Sequence, residues 1–474
     1  MVILLCGYSC AAPLAPGYRI LKLSYEVRFV AGPPCQLRIH LTYKLQNTGK
    51  GNLTFLDARF PDEREFGRKD LRAEMDGGAS PPTGLAPESE GGRLNMFRIR
   101  LDSPWTHGQT RTLGITYTFS SPEDPGSLIT LGENQFHLGA RGWFPELQAP
   151  QHLLAPTPQP PAVASYALRV PADFLVLARG RPKGQSKDDA EVEHRFELRK
   201  DDGPPFVVAG RYVSTPSHRD SSSTVFWTLA PLPESASFEP LTAAWKTLET
   251  TFGPLGKSPH VVESPELRVN VWDEPGATAG AFPGGAIVNP AAFSLGLSSE
   301  AFLDLVSCAF ARNWFGELLR PSPEGSIGLG EGLPEYATIV IEEARNGPAG
   351  RSRRVLEYLH RYNEARGAAE ETPLGAALLS DPIGPRRIAL AKAPLFYVAL
   401  EDICGEVEVR KSLTLLVSLL HGQEVDYGDL RAALEQSTNR NLASTFRIWL
   451  NDKGLPQDFL ERYQLGSLNQ DTGL

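Results

Sequence analysis

The chain is 474 residues long, with a formal net charge of −9 and 41% hydrophobic residues. That is enough apolar material for real cores, and it excludes a wholly disordered chain. An acidic balance with no basic block argues against a nucleic-acid surface, so no nucleic-acid partner is expected.

At the start, Met1–Ala12 (MVILLCGYSCAA) holds a short apolar run and small residues. It resembles the end of an export signal, although no Lys or Arg precedes it. Export, with a lipid on Cys10 as one form of it, and a misplaced start codon both stay open, and with them the compartment. Residues 1–16 are set apart from the folded domains. No run of about 18 apolar residues occurs, so no transmembrane helix is expected. The cysteines Cys6, Cys10, Cys35, Cys308 and Cys404 are too few and scattered for a disulfide scaffold.

From Tyr18 to about Phe144 the pattern is short and alternating. Ile20–Val30 and Gln36–Tyr43 have period two and read as strands, with a turn at Asn47–Gly51. Leu94–Leu101 and Thr110–Phe119 add further strands, and Met75–Gly92, rich in Gly, Pro and Ser, reads as a loop. Beyond the Pro-rich stretch Pro145–Pro161, strands are expected at Tyr166–Val170, Phe174–Leu177, His194–Leu198 and Phe206–Tyr212. Residues 17–220 thus form a β-sandwich or saddle domain.

After Ser221–Leu229 the period changes. Phe238–Phe252 is helical and stops at Gly253-Pro254, and Leu267–Trp272 reads as a strand. A helix over Glu300–Phe315 starts at an N-cap on Ser298 or Ser299 and stops at Gly316. Helices at Glu331–Ala344, Arg353–Arg366, Arg387–Ile403, Val409–Leu420, Tyr427–Gln436 and Leu442–Leu450 complete a second domain over 221–456, leaving 457–474 as a tail. The fold class is α+β and multidomain, with the β module first and a mainly helical domain second.

The segment Val306-Ser307-Cys308-Ala309-Phe310-Ala311-Arg312-Asn313-Trp314-Phe315-Gly316 resembles the metal-binding helix of the M1 aminopeptidases, the gluzincins, whose pattern is HExxH followed by WFG. In that family two His one turn apart bind one zinc, and a Glu after eighteen intervening residues is the third ligand. Here the second His position is Arg312, and after eighteen intervening residues stands Glu331. Glu331-Gly332-Leu333-Pro334-Glu335-Tyr336 looks like the family's NEGxxxY. Gly285-Ala286-Ile287-Val288-Asn289 stands where the family has GAMEN, and Leu390-Ala391-Lys392-Ala393 where it has YxKG. The segment 449–456 (WLNDKGLP) resembles the end of the family's C-terminal helical hairpin. The resemblance spans residues 18–456 and implies a thermolysin-like peptidase domain behind the β domain.

The departures bear on chemistry. Against the family pattern the first His is Cys308, the general base is Ala309 and the second His is Arg312. The Glu of GAMEN is Val288 and the Tyr of YxKG is Leu390; of the zinc ligands only Glu331 remains. An arginine at a ligand position repels a cation, and without the metal no bound water is acidified. Zinc is therefore expected to be lost and no catalytic residue to remain.

Plainer roles are open to the same residues. Cys308 fits a small buried helix residue, Glu331 and Glu335 fit structural pairing, and Trp314 and Phe315 fit core. Gly328, Gly330 and Gly332 miss the GxGxxG spacing and read as a flexible approach to the helix. The resemblance implies a pseudo-peptidase that binds a peptide or protein partner, in a cleft between the two halves walled by Gly285–Asn289 as an edge strand. Two other readings stay open: a zinc hydrolase with a relocated site, and a structural subunit of an envelope or transport assembly. A last expectation concerns geometry: the Arg312 guanidinium takes the metal's place and bonds Glu331.

Overall fold

Alternating strands dominate the first half because their side chains can bury one face and wet the other. In the computed structural model the chain divides into two units, at Arg211/Tyr212. The structure describes residues 17–60, 68–76, 78–80, 83–84, 96–120, 129–139, 143–148, 161–188, 190–216, 224–233, 238–255, 258–265, 267 and 276–470. The leader-like residues 1–16 and the expected strand 267–272, apart from Leu267, lie outside them.

The N-terminal unit is built on an eight-stranded sheet. Its central strands are β1 (Tyr18–Val30), β2 (Gln36–Asn47), β3 (Thr110–Ser120), β4 (Val163–Pro171) and β5 (Glu191–Arg199). The strand order is 181–188, β5, β4, β1, β2, β3, 68–75, 78–80, and β1 runs parallel to β4. Leu23, Tyr25, Val27 and Phe29 of β1 are buried with Leu37, Ile39 and Leu41 of β2 and Ile115, Tyr117 and Phe119 of β3. Against this face lie two four-stranded sheets, which contribute Leu56, Ile99, Phe136 and Val207 to the same core. Each such side chain contributes about 1.5–3 kcal/mol on burial. The opposite face of the sheet carries Lys22, Ser24, Glu26 and Arg28 of β1, all at least partly exposed.

The β-sandwich is as expected, with additions. Strands at Leu53–Arg59, Arg68–Met75 and Arg181–Asp188 were not anticipated, and Gly78–Ser80 and Thr83–Gly84 are strands within the stretch read as loop.

The C-terminal unit begins earlier than expected, because Val213–Pro216 pairs with β6 (Val225–Thr228) in its five-stranded sheet. The remaining strands are β7 (His260–Glu263), β8 (Ala279–Phe282) and β9 (Gly285–Val288), in the order 213–216, β6, β7, β9, β8. Helices follow: α1 (Glu239–Phe252), α2 (Glu300–Ala311), α3 (Leu333–Ala368), α4 (Ile383–Cys404), α5 (Glu406–Leu419), α6 (Tyr427–Thr438), α7 (Ala443–Asn451) and α8 (Gln457–Gln470). α3 joins two expected helices across a break at Gly347 (φ 65°), next to Pro348. The residues read as a tail form α8, whose Phe459 ring meets Trp449 edge-on at 5.1 Å. One large core binds the unit, with Trp245, Phe310 and Trp314 at its centre.

Candidate functional site

α2 begins where Ser299 caps it, its hydroxyl accepting the Phe302 N–H at 3.1 Å. Phe302, Leu303, Val306 and Phe310 bury one face in the core. The α-helix stops at Ala311, and Asn313–Leu318 continue as a π-helical turn in which Phe315 leaves helical geometry (φ −107°, ψ 49°). The expected α-helix to Phe315 therefore ends one turn early. Asn313 fastens this end to the β8–β9 hairpin: its Oδ1 accepts from Gly284 N at 2.7 Å, and its Nδ2 donates to Gly285 O at 3.1 Å.

Glu331 sits in a second π-helical turn, Gly328–Gly332, that runs into α3. The glycines here are not a loose approach. A Cβ on Gly328 would lie 2.0 Å from the Tyr427 hydroxyl, and one on Gly332 would lie 2.6 Å from the Cβ of Ala393. Close packing against α4 and α6 is what demands them.

The two turns bring the residues of the resemblance together. Arg312 Nη2 donates to Glu331 Oε2 at 2.5 Å, so the guanidinium does bond the carboxylate. The side chains keep 19% and 11% of their exposure, so the pair is largely but not wholly dehydrated. One turn on, Glu335 Oε2 accepts from the Tyr358 hydroxyl at 2.5 Å, and Thr338 Oγ1 donates to the Glu335 carbonyl at 2.7 Å. Burial pushes the Cys308 thiol well up, Arg312 opposes this, and a hydrogen bond to Glu335 adds to the rise. Burial raises the Glu331 carboxyl too, more than Arg312 lowers it. For Arg312, burial disfavours the cation, but its acidic neighbours Cys308, Glu331 and Glu335 outweigh it and raise its pKa.

These residues do not fit a zinc ion. A ligand thiol must be a thiolate, which the buried Cys308 resists, and the inner Glu331 oxygen is already held by a cation. Among the described residues no group of three or more His, Cys, Asp or Glu is arranged to hold a metal. Ala309, at the position of the base, is fully buried and has no titratable atom.

The other landmarks divide. Gly285–Val288 is β9, flanked by β7 and β8 and buried along its length, so it is not an edge strand. Its Gly285 packs so close that a Cβ would meet the His260 carbonyl oxygen at 2.1 Å. Ala286, Ile287 and Val288 face the core, and Asn289 caps the turn at 290–293 by accepting the Ala292 N–H at 3.1 Å. Among the described residues the edges of this sheet are 213–216 on one side and β8, next to β9, on the other.

Leu390 is fully buried and offers no hydroxyl. Lys392 is buried too, its Nζ donating to Glu371 Oε1 at 2.9 Å and to the Asp452 carbonyl at 2.8 Å. Burial depresses the Lys392 pKa, and Glu371 restores part of it. Burial pushes the Glu371 carboxyl up, but Lys392 and the Gly454 N–H hold it below the usual range. Lys392 thus ties α4 to segment 449–456, two stretches that the resemblance found separately. Tyr358, Asn313 and Glu371 were missed from sequence, since nothing in the local pattern marks such distant contacts.

A β-sandwich unit followed by a helical unit, with an HExxH-position helix facing a glutamate, defines the M1 aminopeptidase-like fold. No family model matches the sequence, and neither does any curated protein. Among solved structures, the M1 zinc metallopeptidase from Deinococcus radiodurans is similar at 17% identity and TM-score 0.63, over 93% of this chain and 95% of that one. A mutant of that enzyme bound to a Tyr-Ser-Ala substrate gives TM-score 0.64, at 17% identity, over 93% and 96%. At that identity the likeness carries the fold alone.

Proposed function

We propose that this chain is a pseudo-peptidase, an M1-like fold that binds a peptide or protein segment without hydrolysing it. The observation that carries the reading is the Arg312–Glu331 ion pair, which occupies the donors a zinc ion would need. Hydrolysis by this fold requires an acidified water and a base to take its proton. Ala309 cannot be that base, and no residue at 308 or 312 replaces the lost imidazoles. Leu390 removes the hydroxyl that would meet the developing oxyanion.

Binding is a separate matter from turnover. An extended segment added to β8 would gain main-chain hydrogen bonds without any catalytic group.

The test uses the purified full chain. Elemental analysis is expected to find no stoichiometric zinc, aminoacyl-amide substrates to stay intact, and Tyr-Ser-Ala to be recovered uncleaved. About one zinc per chain, abolished by Glu331→Ala, or zinc-dependent release of the first residue, would refute the proposal.

A further inference from the structure

We propose that the open face of the eight-stranded sheet in the N-terminal unit binds a small multivalent oxyanion that also carries a hydroxyl group. The register places Arg169 of β4 opposite Arg28 of β1, and Arg28 opposite Arg38 of β2. Neighbouring strands lie about 4.8 Å apart, and like charges directly opposite one another oppose sheet formation. Three arginines in one cross-strand row are therefore held against a stability cost.

Acidic neighbours offset the row only in part. Arg28 pairs with Glu191 at 3.1 Å, and Glu193 takes both Arg169 and Arg195 at 2.7 Å. Arg38 is exposed and has no acidic partner among the described residues. A face that used arginines only as sheet decoration would have no reason to leave this one, at the end of the row beside Thr118, unpaired.

The next row makes room for a ligand. There Ala167, Glu26, His40 and Thr116 lie side by side across four strands. The short Ala167 and Thr116 between taller arginines leave a hollow of about 530 Å³, within the range of small-molecule sites. Its floor is braced, since the His40 ring lies 2.8 Å from Thr116 Oγ1 and 3.1 Å from Thr42 Oγ1. A second hollow of about 370 Å³ shares Glu26, Ala167 and Arg195 and adds Lys22 and Lys183.

The chemistry selects the ligand. Arginine forks suit planar or tetrahedral oxyanions, and four of them line the first hollow against two carboxylates. Glu26 on the floor repels a bare anion but accepts a hydrogen bond, which favours a hydroxyl beside the anionic groups. Phosphate esters and hydroxy-carboxylates share this chemistry.

Isothermal titration calorimetry of the full chain at low salt, with fructose 1,6-bisphosphate in one arm and citrate in the other, tests the site. Saturable binding of either supports it, and the tighter of the two identifies phosphate or carboxylate as the anionic group. Arg38→Gln and Arg169→Gln should each weaken binding by about tenfold or more, the loss of one charge-assisted contact. Lys246→Gln on α1, in the other unit, should leave it unchanged. Raising salt from about 20 to about 200 mM should weaken it further. Arg38→Gln should melt at or slightly above the parent, because that side chain has no acid to strand and its loss relieves the like-charge row. No binding of either probe at low salt, or equal affinity in Arg38→Gln, would overturn the proposal.

Discussion

Replacing Arg312 with Met removes the cation from Glu331 while keeping much of the side-chain volume, so the stranded carboxylate dominates the response. Breaking a buried ion pair from one side costs about 3–5 kcal/mol when the remaining charge cannot escape. Here it can escape by taking a proton. Neutralising a carboxyl from its ordinary pKa of 4.5 costs about 3.4 kcal/mol at pH 7, which caps the charge contribution. Burial already raises the parent's Glu331 and both side chains are partly exposed, so a loss of up to about 3 kcal/mol is expected at pH 7. The folded variant binds a proton that the unfolded chain releases above pH 4.5, so the variant loses stability relative to the parent as pH rises. The deficit should grow by about 1.4 kcal/mol per pH unit and fall below about 1 kcal/mol at pH 5. Urea unfolding followed by intrinsic tryptophan fluorescence measures it. Arg312→Met/Glu331→Gln should recover most of the loss, since neither partner then carries charge. A deficit under about 1 kcal/mol at pH 7, or one that does not change with pH, would refute the reasoning.

Three other outcomes follow from the same structure. Burial drives the His137 pKa down to about 3, so the N-terminal unit should lose stability as pH falls from about 6.5 toward 3, by roughly 1.4 kcal/mol per unit; acid titration of the parent against His137→Gln checks this, and the variant should show a flatter curve. Lys392→Met leaves Glu371 with Arg366 at 3.7 Å, the Tyr362 hydroxyl and the Gly454 N–H, so thermal unfolding should show a partial loss of about 1–3 kcal/mol near neutral pH, larger than for Lys246→Met on the exposed side of α1. Gly328→Ala must displace the Tyr427 ring, so it should destabilise by about 1–3 kcal/mol in the same assay despite Ala's better helix propensity.

Much of the β unit was legible because its strands alternate: Leu23, Tyr25, Val27 and Phe29 announce one buried face. Arg181–Asp188 was invisible for the opposite reason, being exposed at every position. A strand with no buried side is specified by its neighbour's free hydrogen bonds, not by its own pattern. In the helical unit, the family resemblance that puts Arg312 and Glu331 at two ligand positions of one metal site, together with their opposite charge, was enough to anticipate their bond. The π-helical turns were not, because a shift from i−4 to i−5 bonding leaves no signature in residue type. Nor was the Glu335–Tyr358 bond, which spans the break at Gly347 and depends on how α3 resumes beyond it. Gly285–Asn289 was expected at an edge and lies inside its sheet, because strand order depends on pairing across the sheet and not on the segment's own residues.

The contact between Gly332 and Ala393 has a mechanical consequence. Gly332 follows Glu331 directly, and Ala393 follows Lys392, so the backbone carrying the ion pair and the backbone carrying the buried lysine touch with no compressible side chain between them. A shift of one is transmitted to the other, and through Lys392 to the chain around Asp452. The region around Glu331 therefore behaves as a rigid anvil rather than a hinged jaw.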